Sequence, residues 1–308
     1  MSTPDLNCRL LCASQSAYAI MTTDTSGQFN PLTNNPNGSF YQTQYDAIGF
    51  TEDPYVVVSN RIEAALVGKT DSELIIAFRG TLSPIPFSWD SFFDWLQDFW
   101  AAPTSNVNLP GKVHSGFLFA VMGLADGIVA AVKLIDPSGN LPIVVTGHSK
   151  GGGMAPIASL YFKNFYGLTI TQTVTFAGPK PGNSDFCTTY NTIFPNDLRY
   201  ENYLDIVPLL PPSDDFIKLL EDLPLPVTIK NLLVRIQMDK WHYDTVGTLK
   251  YIDAKGIVAD IPTPLPVRIA DIALKLGTHP TLVADAHHAS CGFRYMQGTC
   301  QGTVCPSN

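Results

Sequence analysis

Apolar and polar positions along the chain fall into blocks with the lengths of strands and helices. Short β-branched runs near Val57, in "RIEAALVG", in "ELIIAFRG" and in "LPIVV" at 141–145 are typical of buried strands. Helical spacing follows near 114–135 and again after Ser149, while "TITQTVTFAG" and "LRYENYLD" predict two further strands. This alternation predicts an α/β fold with a central, mostly parallel sheet and helices on both faces.

The pattern is less regular beyond Pro208. The stretch "DKWHYDTVGTLKYIDAKG" predicts a hairpin, and "PVRIADIALKLG" predicts a helix before the final "HHASCGFRYMQGTC". We find neither an internal repeat nor a linker, so we expect residues 1–308 to form one domain with an insertion at about 210–285.

Composition removes nucleic acid from the candidate partners. The net charge is −8, and only 15% of the 308 residues are charged. A chain without a basic patch cannot neutralise phosphates and release their counterions. The longest apolar stretch, 117–135, contains Asp126 and Lys133, so we expect a core helix there and no transmembrane segment.

The cysteines bear on the cellular compartment. Six cysteines lie mostly near the two ends of the chain, a distribution that fits disulfides but also fits reduced thiols. The first twenty residues carry no signal-peptide pattern. We expect an extracellular protein whose signal has been removed, and a cytoplasmic location stays open.

The stretch "VVTGHSKGGGMA" carries the chemistry. Gly147, Ser149 and Gly151 fit a G-x-S-x-G pattern between a predicted strand and a predicted helix, which is the context of a nucleophilic serine. The tight turn needs small residues on both sides of the serine, and the helix N-terminus offers unpaired N–H groups to an oxyanion. The main-chain N–H of Lys150, the residue after the nucleophile, is the expected first oxyanion donor. A phosphate-binding loop would need a lysine directly before a Ser or Thr, which this stretch lacks.

A serine nucleophile needs a histidine base and an orienting carboxylate, which follow in the order Ser, acid, His in such folds. Asp205 ends a predicted strand and is the best acid; Asp197 and the Asp214/Asp215 pair are rivals. His287 and His288 come late enough to be the base, and the residues alone do not choose between them. His242 and His279 remain further options. No metal-ligand spacing is present, so we expect neither a metal nor a cofactor.

Five motifs carry a resemblance to a known family. In chain order they are "IIAFRGT", "VHSGF", "VTGHSKGG", "TFAGPKPGN" and "YLDIVPLLPP". Together they resemble the class 3 lipases, the fungal-type triacylglycerol lipases with an α/β-hydrolase fold. The resemblance implies a triad of Ser149, Asp205 and a late histidine. An aromatic residue often follows that histidine in the family, so His288, with Phe293 nearby, is the expected base.

The resemblance also implies an activity. It predicts a carboxylic ester hydrolase, a triacylglycerol lipase that acts on acylglycerols at a lipid–water interface through an acyl-enzyme. A feruloyl or short-chain esterase and a phospholipase A1 are alternatives on the same fold, and a non-catalytic lipase-like binding protein is a further one.

Three structural features follow from the resemblance as well. Thr81 is the expected second oxyanion donor. A lid is expected at about 82–93, where Trp89, Phe92 and Phe93 would supply its apolar, substrate-facing side. A disulfide is expected between Cys8 or Cys12 and Cys300 or Cys305, with Cys187 free or paired with Cys291.

Overall fold

The computed structural model describes residues 4–29, 45–60, 62–82, 101–213 and 241–301. The strands are β1 Gly27–Gln28, β2 Tyr55–Ser59, β3 Glu63–Lys69, β4 Leu74–Phe78, β5 Pro103–Thr104, β6 Val113–His114, β7 Ile143–His148, β8 Ile170–Phe176, β9 Gly182–Asn183, β10 Leu198–Asn202, β11 Tyr243–Asp244, β12 Thr248–Ile252 and β13 Val258–Ala259. The α-helices are α1 Leu6–Ser16, α2 Ser115–Ile135, α3 Lys150–Tyr161, α4 Ser184–Ile193, α5 Leu265–Thr278, α6 Pro280–His287 and α7 Arg294–Cys300.

Nine strands of the described chain form the main sheet, in the order β1-β2-β3-β4-β7-β8-β10-β12-β13. The five strands from β4 to β12 run parallel, so their carboxyl ends lie along one edge of the sheet. Strands β1 to β3 and the short β13 are antiparallel to their neighbours. A second, smaller antiparallel sheet has the order β11-β9-β6-β5.

Alternation along β4 explains why both faces of the main sheet are covered. Ile76 and Phe78 belong to a core that α2 and α3 cover, whereas Ile75 and Ala77 belong to a second core with α1 and α7. Successive strand residues point to opposite faces, so a fully apolar strand must be buried on both. The predicted α/β-hydrolase architecture is confirmed.

Helix α2 is the longest in the described part of the chain. Its most apolar window has a mean hydropathy of 2.0, so by length and composition α2 could cross a membrane, and 56% of that window is buried inside the protein. Phe117, Val121 and Ile128 on its inner face belong to the same core as β3 and β4. This burial agrees with the prediction that the segment is a core helix.

The hairpin predicted around 239–256 lies later in the chain than expected: β12 pairs antiparallel with β13 across a turn at 253–257, and β11 is not its partner. Strand β11 pairs with β9 in the small sheet, whereas β12 pairs in parallel with β10 in the main sheet. Strands β11 and β12 thus pair with these distant strands instead of with each other. Part of the predicted insertion therefore extends the main sheet, and the single-domain prediction itself stays a prediction.

A disulfide joins Cys8 in α1 to Cys300 in α7, across 292 residues of sequence, as the resemblance implied. Cys291 is disulfide-bonded as well. Cys12 and Cys187 are free, buried thiols, and burial raises the pKa of Cys12 to about 12. The two ends of the described chain are therefore held together covalently.

Candidate active site

The serine turn lies at the carboxyl edge of the main sheet. Ser149 connects β7 to α3 with φ 58° and ψ −131°, a conformation that L-residues rarely adopt. Its N–H donates to the carbonyl of Phe176, 3.0 Å away, and its own carbonyl accepts from the N–H of Gly152 at 2.8 Å. The neighbouring main chain thus holds the strained residue in place.

Two glycines make this turn sterically feasible. A Cβ on Gly147 would collide with the main chain of Gly151, and a Cβ on Gly151 would collide with the carbonyl of Phe78. Strand β7, helix α3 and the end of β4 therefore approach one another more closely than side chains allow. This close approach is the physical reason for the G-x-S-x-G spacing.

The structure brings Ser149 and Asp205 to the same histidine, which is His287. Nε2 of His287 lies 2.8 Å from Oγ of Ser149. Nδ1 of the same ring lies 3.0 Å from Oδ2 and 3.1 Å from Oδ1 of Asp205. A carboxylate only accepts hydrogen bonds, so Nδ1 carries the proton and Nε2 is free to accept the serine hydroxyl.

The expectation that His288 is the base is corrected by this geometry. Helix α6 ends at His287, and His288 follows in extended backbone, so the two neighbouring side chains leave the chain in different directions. The ring of His288 is exposed and packs 5.0 Å from the ring of Phe293. The aromatic neighbour that favoured His288 does contact it, but outside the serine site.

The carboxylate of Asp205 is fully buried and well supplied with donors. The N–H of Val207 donates to Oδ1 at 3.0 Å, and the hydroxyl of Tyr295 donates to Oδ2 at 2.7 Å. Burial and the adjacent Asp205 charge raise the pKa of Tyr295 well above its usual range, so the phenol keeps its proton. With the His287 ring, these donors make a buried carboxylate tolerable.

Arg268 of α5 fixes the main chain that leads to Asp205. Its guanidinium donates to the carbonyls of Asn202, Tyr203 and Asp205 at 2.8–3.0 Å and to Oε2 of Glu201 at 2.8 Å. Only 4% of Arg268 is exposed. The acid is thus held by a residue that lies 63 positions further along the chain.

His148, directly before the serine, contacts the main chain of His287. Its Nε2 lies 2.7 Å from the main-chain carbonyl of His287, and its Nδ1 lies 2.9 Å from the hydroxyl of Tyr18. Burial, followed by the nearby His287, lowers the pKa of His148 well below its usual range, so the ring is neutral.

The predicted oxyanion donors flank the serine turn in the fold. Lys150 is the first residue of α3, whose N–H has no acceptor within the helix. Thr81 is half-buried and comes three residues after Phe78, which pairs with Gly147 across β4 and β7. Their roles stay predictions. The side chain of Lys150 forms an ion pair, with Nζ 2.6 Å from Oε1 of Glu63.

Trp89, Phe92 and Phe93, the predicted lid residues, lie outside the described residues. The sequence reasoning missed Tyr18, His148, Arg268 and Tyr295 as parts of the site. Only the position of His148 beside the serine offered a signal, since the others approach from distant parts of the chain.

Comparisons with known proteins find similarity to lipases. The family profile described as lipase (class 3) matches residues 75–215, which include Ser149 and Asp205. The fold resembles the structure of the triacylglyceride lipase from Rhizomucor miehei, with a TM-score of 0.55 and 21% identity over 89% of each chain. Over residues 75–215 the chain is thus similar to the class 3 lipase family.

Three curated relatives of this chain carry different names. Lipase ZK262.3 from Caenorhabditis elegans is 27% identical over 66% of this chain and 54% of its own length. The chloroplastic phospholipase A(1) DAD1 from Arabidopsis thaliana is 25% identical over 83% of this chain and 58% of its own. Secreted mono- and diacylglycerol lipase 1 from Fusarium solani is 30% identical over 46% and 40%, respectively. The chain spans about half the length of the curated relatives that it matches.

Proposed function

We propose that the protein is a serine carboxylic ester hydrolase in which Ser149 is the nucleophile, His287 the base and Asp205 the acid. The observation that carries this proposal is the single imidazole placed between the Ser149 hydroxyl and a fully buried carboxylate. A hydroxyl becomes a useful nucleophile when a neighbouring base takes its proton during attack.

The reaction follows from these contacts. Oγ of Ser149 attacks the ester carbonyl while Nε2 of His287 takes the hydroxyl proton, and Asp205 stabilises the imidazolium that forms. The oxyanion would accept hydrogen bonds from the N–H groups of Lys150 and Thr81, and each such donor is worth ~3 kcal/mol in the transition state. His287 then protonates the leaving alcohol, and water, deprotonated by the same ring, releases the acid from the acyl-enzyme.

Acylglycerols are the proposed substrates. The match to the class 3 lipase profile and the relative named as a secreted mono- and diacylglycerol lipase support them, while the relative named phospholipase A(1) favours phospholipids as a second candidate. The disulfide between Cys8 and Cys300 and the secreted relative support an extracellular location.

Hydrolysis of p-nitrophenyl esters from acetate to palmitate tests the reaction class. Wild type should hydrolyse at least part of the series, and Ser149→Ala should retain about 10⁻³ of that rate or less. A p-nitrophenyl phosphonate should add one adduct to wild type and none to the variant, as measured by intact mass. Equal turnover in both proteins would refute the proposal.

Trioleoylglycerol and phosphatidylcholine emulsions, assayed side by side, separate the two substrate classes.

For the predicted lid, the rate on a sparingly soluble ester should rise when its concentration passes the solubility limit. Trp89→Ser should weaken that rise more than it affects a dissolved short ester. The reason is that burial of an apolar segment at a lipid surface is favourable by ~25 cal/mol per Å² of apolar surface. Simple saturation in both proteins would argue against a functional lid.

A further inference from the structure

The backbone that carries His287 is held from two sides. Asn202 donates from its side-chain amide to the carbonyl of Ala286 at 2.7 Å, and His148 contacts the carbonyl of His287 itself, also at 2.7 Å. Helix α6 has only eight residues, and His287 is its last one. The end of a short helix is weakly held by its own hydrogen bonds, so its position depends on such contacts.

The contact between His148 and His287 defines the proton positions on His148. A carbonyl oxygen only accepts, so Nε2 of His148 must carry the hydrogen that it donates to the His287 carbonyl. In the neutral ring Nδ1 is then an acceptor, and the hydroxyl of Tyr18, 2.9 Å away, donates to it. Tyr18 thus selects the tautomer that contacts His287.

The packing leaves little freedom to this arrangement. His148 is only 4% exposed, and its ring centroid lies 4.8 Å from that of His287. The Tyr18 hydroxyl lies so close to Gly80 that a Cβ there would collide with it. The glycine of "FRGT" therefore makes room for the phenol beside the nucleophile strand.

Neutrality of His148 also matters for the base. His287 becomes an imidazolium when it takes the Ser149 proton, and a second positive ring 4.8 Å away would oppose that step. A hydroxyl that donates to Nδ1 of His148 occupies the position where a second proton would bind.

We propose that Tyr18 and His148 form a positioning relay for the base, in which the phenol fixes the His148 tautomer and His148 holds the main-chain carbonyl of His287. This inference rests on the proposed function for its kinetic consequences. Both residues are positioning residues, because neither touches the Ser149 hydroxyl or the ester in the proposed reaction.

The test uses a matched pair at position 148. His148→Leu keeps an apolar volume but removes the donor, whereas His148→Gln returns an N–H to the region of Nε2. On a dissolved short p-nitrophenyl ester, His148→Leu should lower kcat about 10- to 100-fold with little change in KM, because small misplacements of a base are costly. His148→Gln should recover a large part of that loss. Thermal unfolding verifies that both variants are folded.

Tyr18→Phe provides a second variant in case His148→Leu does not fold. Alone it should lower kcat several-fold with little change in KM, and an unchanged kcat would overturn the relay. In the His148→Leu background it should cause no further loss, since the phenol acts through the ring. Additive losses in this cycle would overturn the relay, as would a folded His148→Leu protein with kcat within twofold of wild type.

A proton NMR measurement makes the inference independent of ester turnover. The Nδ1 proton of His287, bonded to the buried Asp205, should give a low-field resonance in wild type and in His148→Gln, and it should broaden or disappear in His148→Leu. An unchanged resonance in the leucine variant would overturn the relay. If Ser149→Ala kept its activity, the proposed function would fail while this resonance still tested the relay.

Discussion

Nε2 of His287 lies 2.8 Å from Oγ of Ser149, although 138 positions of the chain separate the two residues. Its neighbour His288 packs on Phe293 instead and faces solvent. Helix α6 ends at His287, and this gives the two adjacent histidines different contacts.

Substitution of the two histidines tests this difference. His287→Ala should reduce ester hydrolysis by ~10³ or more, because only binding and the oxyanion donors remain. His288→Ala should stay within about twofold of wild type and serves as the matched control. The measurement is kcat/KM on a dissolved p-nitrophenyl ester, and the opposite ranking would move the base to His288.

Arg268 should contribute to both stability and activity. In Arg268→Met three main-chain carbonyls lose their donor. The buried carboxylate of Glu201 also loses one of its two cationic partners and keeps only Arg199. We therefore expect a loss of roughly 3–5 kcal/mol in the free energy of unfolding. Chemical denaturation measures this loss. Any folded fraction should hydrolyse esters more slowly, because the turn that carries Asp205 loosens.

The control for that variant is Arg294→Met. Arg294 is exposed and its described side-chain bond, to Gln297 at 3.3 Å, lies at the surface. Its loss should change the stability by no more than about 0.5 kcal/mol. If both variants lost the same free energy of unfolding, the buried contacts of Arg268 would not stabilise the protein more than a surface contact does.

Lys180 predicts a pH dependence of stability. It is buried, with Nζ donating to the carbonyls of Pro208 and Pro211 at 3.4 and 3.1 Å, and burial lowers its pKa to about 7. Between pH 7 and about 10 the unfolded chain holds this proton and the folded chain does not, so stability should rise with pH. Below pH 7 the cost of the buried charge is fully present.

Lys180→Met should remove this rise. The free energy of unfolding, measured by urea denaturation from pH 7 to pH 9, should climb less in the variant than in wild type. Buried thiols and tyrosines titrate in both proteins, so their contribution cancels in the difference. Parallel curves for the two proteins would show that Lys180 keeps an ordinary pKa.

Cys12 lies next to the disulfide between Cys8 and Cys300. We therefore expect substitution of Cys8 and substitution of Cys300 to destabilise the protein by different amounts. The sulfur of Cys12 lies within 4.8 Å of those of Cys8 and Cys300. Cys300→Ser removes the covalent closure and should cost roughly 3–5 kcal/mol. Cys8→Ser should cost less under oxidising conditions, because Cys12 can take over the bond to Cys300.

Peptide mapping without reductant, together with thermal unfolding, measures that asymmetry. A Cys12–Cys300 bridge is expected in the Cys8→Ser protein. An alkylated Cys12 and a stability loss equal to that of Cys300→Ser would contradict it.

The local pattern of the sequence determined much of this protein. The apolar strand, the glycines and the helix around Ser149 are encoded within about twenty consecutive residues, and each requirement of the turn acts between near neighbours in the chain. The position of Asp205 after a strand was likewise readable, because carboxyl ends of parallel strands share one edge.

Only the tertiary structure decided between His287 and His288, because the choice depends on where a short helix ends and which way it presents its last side chain. The same holds for the contacts of Tyr18 with His148, of Arg268 with the Asp205 turn and of Tyr295 with the carboxylate. These bonds join residues between 63 and 130 positions apart. Periodicity and local motifs report neighbours along the chain, whereas such contacts exist only once the sheet has brought its distant segments together.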